Sequence, residues 1–265
     1  MNVEKDFALV TGASSGIGLA ISRELARLGY PLLIVSNEEE KIIIAAAEIE
    51  RDYGVKAIPL CMDLAQREAS QNLFDYCEKN NIKTGILVNN AGIFFFRDIA
   101  NTPPELIEKV VDLHILTPTM LSRLFAEQIM RDNRQGYVLN MASIAAWMMM
   151  PGITLYNASK SYLRCFSRAI RNETCDKGIS VTTICPGAVA TGLYGLPPRY
   201  MKLGISLGII ITPERLASRA IKKMFRKKAE YIPGGIINRL FILIIMALPE
   251  WLVRRIKKKI DERIS

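Results

Sequence analysis

Tyr156 and Lys160 stand four residues apart, Ser143 lies thirteen residues before the tyrosine, and Thr11-Gly12-Ala13-Ser14-Ser15-Gly16-Ile17-Gly18 sits near the start of the chain. On a helix, residues four apart share a face, so the phenol and the ammonium are neighbours. A nearby ammonium and a cofactor lower the pKa of a phenol, which lets it exchange a proton near neutral pH. A serine hydroxyl polarises a carbonyl. A glycine turn lets backbone approach a pyrophosphate, and the helix it opens offers unpaired N–H groups at its positive end. Each part supplies a different requirement of hydride transfer between a dinucleotide and a carbonyl. The competing readings are a plain glycine turn and an ordinary surface pair of tyrosine and lysine. The order of the four parts along the chain argues against both.

Those groups must be held by a frame, and the apolar pattern describes one. Phe7-Ala8-Leu9-Val10 is a short apolar run before the glycine turn, and Leu19 to Leu28 is amphipathic at helical spacing. Further apolar runs fall at 31–35, 55–61, 85–88, 136–141 and 179–185, with a short one at 230–232. Helical patterns separate them at 38–53, 66–79, 103 to about 130, 154–175 and 213–227, and Thr102 is the expected N-cap of the third of these. Continuously apolar strands between helices of this length mean a parallel sheet covered on both faces. The expected fold is therefore α/β: a doubly wound parallel sheet of Rossmann type, with right-handed crossovers. It forms a single domain over 1–232, with an apolar and basic helical tail over 233–265. Ligands of such sheets bind beyond the carboxyl ends of the strands. Every chemistry-bearing motif falls at such an end or on the helix that follows.

At the cofactor end, Gly12, Ser14, Ser15, Gly16, Ile17 and Gly18 form the turn against a pyrophosphate. Asp63-Leu64 ends the third strand, where the carboxylate either hydrogen-bonds an adenine amine or caps a helix. Asn89-Asn90-Ala91-Gly92 ends the fourth, its small residues letting backbone pass close to the adenine ribose or simply making a turn. The second strand ends in Ser36-Asn37-Glu38. An acid there would bind the 2′-hydroxyl of NAD, and a base would bind the 2′-phosphate of NADP. The choice between NADP(H) and NAD(H) stays open, with a slight lean to NADP(H).

With these motifs in place, the chain resembles the short-chain dehydrogenase/reductase family from residue 5 to about 232. The matching residues are Thr11–Gly18, Asp63-Leu64, Asn89–Gly92, Ser143, Tyr156-Asn157-Ala158-Ser159-Lys160, and Pro186-Gly187 with Thr191. The resemblance implies NAD(P)(H)-dependent interconversion of a ketone and a secondary alcohol. It implies Tyr156 as acid/base, Ser143 on the substrate oxygen, and Lys160 tuning the tyrosine and holding ribose. Pro186-Gly187 would border the nicotinamide and Thr191 would contact its carboxamide or a phosphate. One departure stands out. Where the family often carries an asparagine in the long central helix, this chain has His114, its only histidine. Either a neutral imidazole replaces the asparagine in a proton relay, since it both donates and accepts, or His114 is a satisfied core residue. A metal site built on histidines is excluded by count.

Composition bounds the rest. The chain has 265 residues, half of them hydrophobic, enough for one large core without a linker. Five scattered cysteines lack metal-ligand spacing and read as reduced intracellular thiols. The charged first residues run straight into a strand, so no signal peptide is expected and the reading is cytoplasmic. The net charge of +9 is uneven: residues 219–265 hold 13 Lys and Arg against 4 Asp and Glu, and the remainder is neutral. Nucleic-acid binding is not supported, since no aromatic-and-basic platform appears.

Trp147-Met148-Met149-Met150-Pro151 lies between the serine and the tyrosine and reads as a greasy substrate pocket or as core. Residues 192–207 read as a lid over cofactor and substrate. Together they favour an acyl, lipid-like or steroid-like ketone over a sugar. Residues 236–248 are apolar but too short to span a bilayer, and a basic stretch with Trp251 follows. The tail over 236–265 is an interfacial contact at the inner face of a membrane, or a helical hairpin over the pocket or a homo-oligomer surface (dimer or tetramer). The leading reading is a reductase of a hydrophobic ketone. A non-catalytic nucleotide-binding sensor or scaffold of the same fold is the alternative that His114 keeps open.

Overall fold

The computed structural model describes residues 5–192 and 210–264. Its centre is a seven-stranded sheet, all parallel: β1 (Phe7–Thr11), β2 (Leu32–Ser36), β3 (Ala57–Cys61), β4 (Thr84–Asn89), β5 (Gly136–Met141), β6 (Ile179–Ile184) and β7 (Glu230–Tyr231). The strand order is β3-β2-β1-β4-β5-β6-β7. Strand order therefore reverses between β1 and β4, and the crevice at that switch point is where such sheets take ligands. β2 and β6 are buried along their whole lengths, which is why their sequences are runs rather than alternations.

One face is covered by α1 (Gly16–Arg27), α2 (Glu39–Tyr53) and α6 (Pro213–Phe225). The other carries α3 (Ala69–Lys79), a long helix α4 over 104–131, and α5 (Thr154–Thr174). Residue Thr102 does not cap α4. Its hydroxyl donates instead to the carbonyl of Asp98 at 2.9 Å, closing the short turn Ile99–Asn101, and Pro103 takes the cap position. α4 is continuous but not uniform: Pro104–Val111 is α-helical, Asp112–Leu116 is a π turn, and Thr117–Arg131 is α-helical again. Such a turn inserts one residue into the ladder, and such insertions cluster at functional sites. His114 sits in it.

A buried polar ladder fixes the strand ends that carry the site. Asn89 donates to Asn140 at 2.8 Å and to Ser122 at 3.2 Å, and Asn140 donates to Ser167 at 2.8 Å. β4 and β5 are thereby tied to each other and to α4 and α5, a network with high cost if broken. At the end of the chain, α7 (Gly235–Met246) and α8 (Glu250–Ile264) form the tail. Ile242 of α7 is buried, and α7 packs on the short 3-10 helix Ile144–Trp147 that follows Ser143. Among the described residues, no helix is long and apolar enough to cross a membrane.

Candidate active site

One cleft of about 530 Å³ runs along the carboxyl ends of β1, β2, β4, β5 and β6. At its first end the glycine turn does what a phosphate cradle needs. Gly12 and Gly16 take φ of +64° and +56°, a region that disfavours side chains. A Cβ on Gly12 would come within 2.8 Å of the Ala91 backbone. Ser15 is the N-cap of α1 and makes no side-chain cap, which leaves first-turn N–H groups facing the cleft. Gly18 serves differently. It is buried, and a Cβ there would lie 2.0 Å from the Gly12 carbonyl, so it lets α1 pack on the turn rather than lining the cleft. Thr11 holds the opposite wall by accepting the N–H groups of Asn90 and Ala91 at 2.9 and 3.0 Å.

At the end of β2, Ser14 donates to a carboxylate oxygen of Glu38 at 2.6 Å, and Ser36 donates to Ser14 at 2.9 Å. Lys41 pairs with the other oxygen of Glu38. Hydrogen bonds from Lys41 and Ser14 hold the Glu38 carboxyl below the usual carboxylate range, so it is an anion. Asn37 is exposed beside it. Asp63 accepts from the Ala65 N–H at 3.0 Å, capping a turn ahead of α3, while it and Leu64 still face the cleft. Asn90, Ala91 and Gly92 line it from the end of β4.

Ser143, Tyr156 and Lys160 line the other end; Pro186 lies beside Ser143, and Thr191 lines the cleft next to Gly16. Ser143 is buried in extended backbone directly after β5. Its oxygen accepts the Ala145 N–H at 3.1 Å, and the next N–H bonds to Pro186 at 2.9 Å, which fixes the loop after β5 to that after β6. Tyr156 is packed edge-on against Phe94, with ring centroids 5.1 Å apart. Lys160 is buried under it, its Nζ 5.6 Å from the Tyr156 ring centroid and donating to the Met141 carbonyl at 3.0 Å. Burial pushes the ammonium down to about 8.

His114 lies behind this end rather than in the cleft. Its Nε2 accepts the Ile93 N–H at 2.9 Å, and its Nδ1 is 3.0 Å from the Ser159 hydroxyl. Burial, and then the Lys160 charge, press its pKa well below the ordinary value, so the ring is neutral. Gly187 does not line the cleft; a Cβ there would meet Ile144 and Asn238 at ordinary van der Waals distance.

Trp147–Pro151 was open to two readings, greasy substrate pocket or core. None of these five residues lines the cleft: Arg164 stacks on the Trp147 ring at 4.1 Å and Met149 projects outward. The expected lid falls outside the described residues beyond Gly192. Lys41, Ile93 and Val189 do line the cleft. Lys41, one helical turn past Glu38, carried a signal in its spacing. Ile93 and Val189 had none beyond their place after the motifs. Among the described residues, no group of three His, Cys, Asp or Glu side chains could hold a metal.

A family model described as short chain dehydrogenase matches residues 6–195. A very-long-chain 3-oxoacyl-CoA reductase of Anas platyrhynchos is 33% identical over 192 residues, covering 70% of this chain and 60% of that protein. The chain thus spans about three fifths of the length of that relative. A 17-beta-hydroxysteroid dehydrogenase type 3 of Danio rerio is 28% identical over 257 residues, covering 94% and 78%. A short-chain dehydrogenase from Sphingobium yanoikuyae, solved in complex with NADPH, superimposes with a TM-score of 0.79 at 24% identity, covering 90% and 92%.

Proposed function

The chain belongs to the short-chain dehydrogenase family, and on that premise we propose that this oxidoreductase reduces a ketone on a hydrophobic, acyl-like or steroid-like substrate to a secondary alcohol. The observation that carries the reading is the convergence of Ser143, Tyr156 and Lys160 on one end of a cleft whose other end is the glycine turn. The residues fit a nicotinamide dinucleotide: the Gly12 and Gly16 cradle admits no side chain, and the first turn of α1 offers its N–H groups to a pyrophosphate. When bound, the dinucleotide supplies the hydride. The chain supplies the rest. Ser143, held by the Ile144–Pro186 bond, orients and polarises the substrate carbonyl. Tyr156 delivers a proton to the carbonyl oxygen, and the buried ammonium of Lys160 stabilises the phenolate left behind. Pro186 beside Ser143 and Thr191 beside Gly16 complete the lining of the cleft.

The hydrophobic substrate class is supported by the relatives named above, one a reductase of very-long-chain 3-oxoacyl-CoA and one a hydroxysteroid dehydrogenase. At the adenosine end, the position of Glu38 supports NAD(H) rather than the lean to NADP(H). A carboxylate fixed by Ser14 and Lys41 accepts a hydrogen bond from a 2′-hydroxyl but repels a 2′-phosphate. Glu39 and Glu40 add to that repulsion. Turnover of NADH with ketones of graded chain length tests the reading. Efficiency should rise with chain length. A panel in which only sugar ketoses turn over, or none does, would overturn it.

A further inference from the structure

The tail presents an apolar surface bordered by positive charge, and it does so beside the catalytic end. Leu240, Leu243, Ile244 and Met246 of α7 are each more than half exposed, as is Trp251 at the start of α8. Exposed apolar side chains gathered on consecutive turns mark a contact surface rather than scattered solvent-facing residues. The inward side of α7 is already satisfied through Ile242 and its packing on the 3-10 helix after Ser143. On α8, Arg254, Arg255 and Lys258 are exposed, while Lys257 is tied to Asp98 at 2.8 Å. That ion pair places α8 next to the loop carrying the exposed Phe96 and Ile99, the loop that leads from the cleft to α4. The tail thus touches both segments that flank Tyr156.

We propose that α7 and α8 dock the protein on an anionic lipid surface, lying in its plane with the catalytic mouth turned towards it. Charge decides the occupant. Residues 233–265 hold seven Lys and Arg against three Asp and Glu. A second copy pairing through this face would set that positive charge against itself, whereas anionic headgroups complement it. Length decides the orientation. Twelve residues make α7 about 18 Å long, short of the roughly 30 Å of a bilayer core. An apolar helix followed by a basic one with tryptophan at the junction is the composition of an interfacial element. Docking stands on the tail alone. Only its use, delivery of a membrane-dissolved ketone to Tyr156, rests on the reductase reading.

The full chain is sedimented with vesicles of phosphatidylcholine alone and of phosphatidylcholine mixed equally with phosphatidylglycerol, while turnover of a short water-soluble ketone is followed separately. The wild type should pellet with the anionic vesicles, much less with the neutral ones, and be released by high salt. Leu243→Asp should weaken partition at least about tenfold, since burying one isobutyl group is worth that much, with soluble-ketone turnover unchanged. Because Leu243 is exposed, its melting temperature should hold. Trp251→Phe provides a second readout: the blue shift of tryptophan emission on vesicle addition should vanish with it. Equal pelleting of Leu243→Asp and wild type, equal binding to neutral vesicles, or an apolar face that instead yields a dimer lost in Leu243→Asp would each overturn docking. Failure of turnover across the whole graded ketone panel would overturn the reductase reading and leave the docking result intact.

Discussion

The Nδ1 of His114 lies 3.0 Å from the hydroxyl of Ser159, the residue immediately before Lys160. The tautomer follows from accounting. Nε2 accepts from the Ile93 amide and must be bare, while the Ser159 hydroxyl donates to the Tyr156 carbonyl at 3.0 Å and so accepts from Nδ1–H. Both nitrogens are thereby committed, and the imidazole joins the π turn of α4 to the end of β4 and to α5. An asparagine can also donate and accept at this place.

A pH dependence of stability follows. Unfolded, His114 titrates near its ordinary value of 6.5, and folded it titrates well below that. Below 6.5 the unfolded chain therefore takes up a proton that the native state refuses. The stabilisation is complete above 6.5 and is lost as the pH falls from there. Urea unfolding at pH 8 and pH 5 should show the wild type losing more stability than His114→Asn, by up to about 1.4 kcal/mol per pH unit. Equal losses would contradict the assignment.

Lys160 gives the opposite trade between stability and activity. Its ammonium is buried and titrates near 8 rather than 10.5, so the native state holds a charge it solvates poorly. At pH 7 Lys160→Met should unfold with a free energy higher by up to about 3 kcal/mol, the worth of that shift. The gain should shrink between pH 8 and 10.5, where the native lysine sheds its proton before the unfolded one. Turnover should fall with it. A variant less stable than wild type in urea at pH 7 would show that the hydrogen bond to Met141 outweighs the buried charge.

The Ser14–Glu38–Lys41 cluster predicts cofactor choice. Glu38→Ser removes the anion and frees Lys41 for a 2′-phosphate. The ratio of kcat/KM with NADPH to that with NADH should rise at least about tenfold, a change of roughly 1.4 kcal/mol, mostly through KM. An unchanged ratio would place the adenosine ribose away from Glu38.

The alternation of strands and helices was legible because a sheet buried on both faces forces unbroken apolar runs, as in β2 and β6. The glycine turn, Ser143, Tyr156 and Lys160, which line one cleft, were legible because the roles proposed for them fix both residue type and position relative to a strand end. What escaped depended on tertiary neighbours. Thr102 has the composition of a cap, but the carbonyl of Asp98 competes for its hydroxyl. Gly18 and Gly187 belong to motifs that read as cofactor contacts, and the close approach of Gly18 to the Gly12 carbonyl is visible only in three dimensions. Trp147 to Met150 are as greasy as a pocket requires, and the 3-10 helix after Ser143 with the Arg164 stack turns them away from the cleft. The partners of His114, Ile93 and Ser159, were not legible either. Neither is close to it in sequence.

The proposed reduction requires Tyr156 as its proton donor, and Tyr156→Phe tests this most directly. The substitution keeps the ring packed against Phe94 and removes only the hydroxyl. Thermal shift should report unchanged stabilisation by NADH, while kcat/KM for a long-chain ketone should fall by about a hundredfold or more. Nucleotide binding intact with turnover within a few-fold of wild type would contradict the central claim.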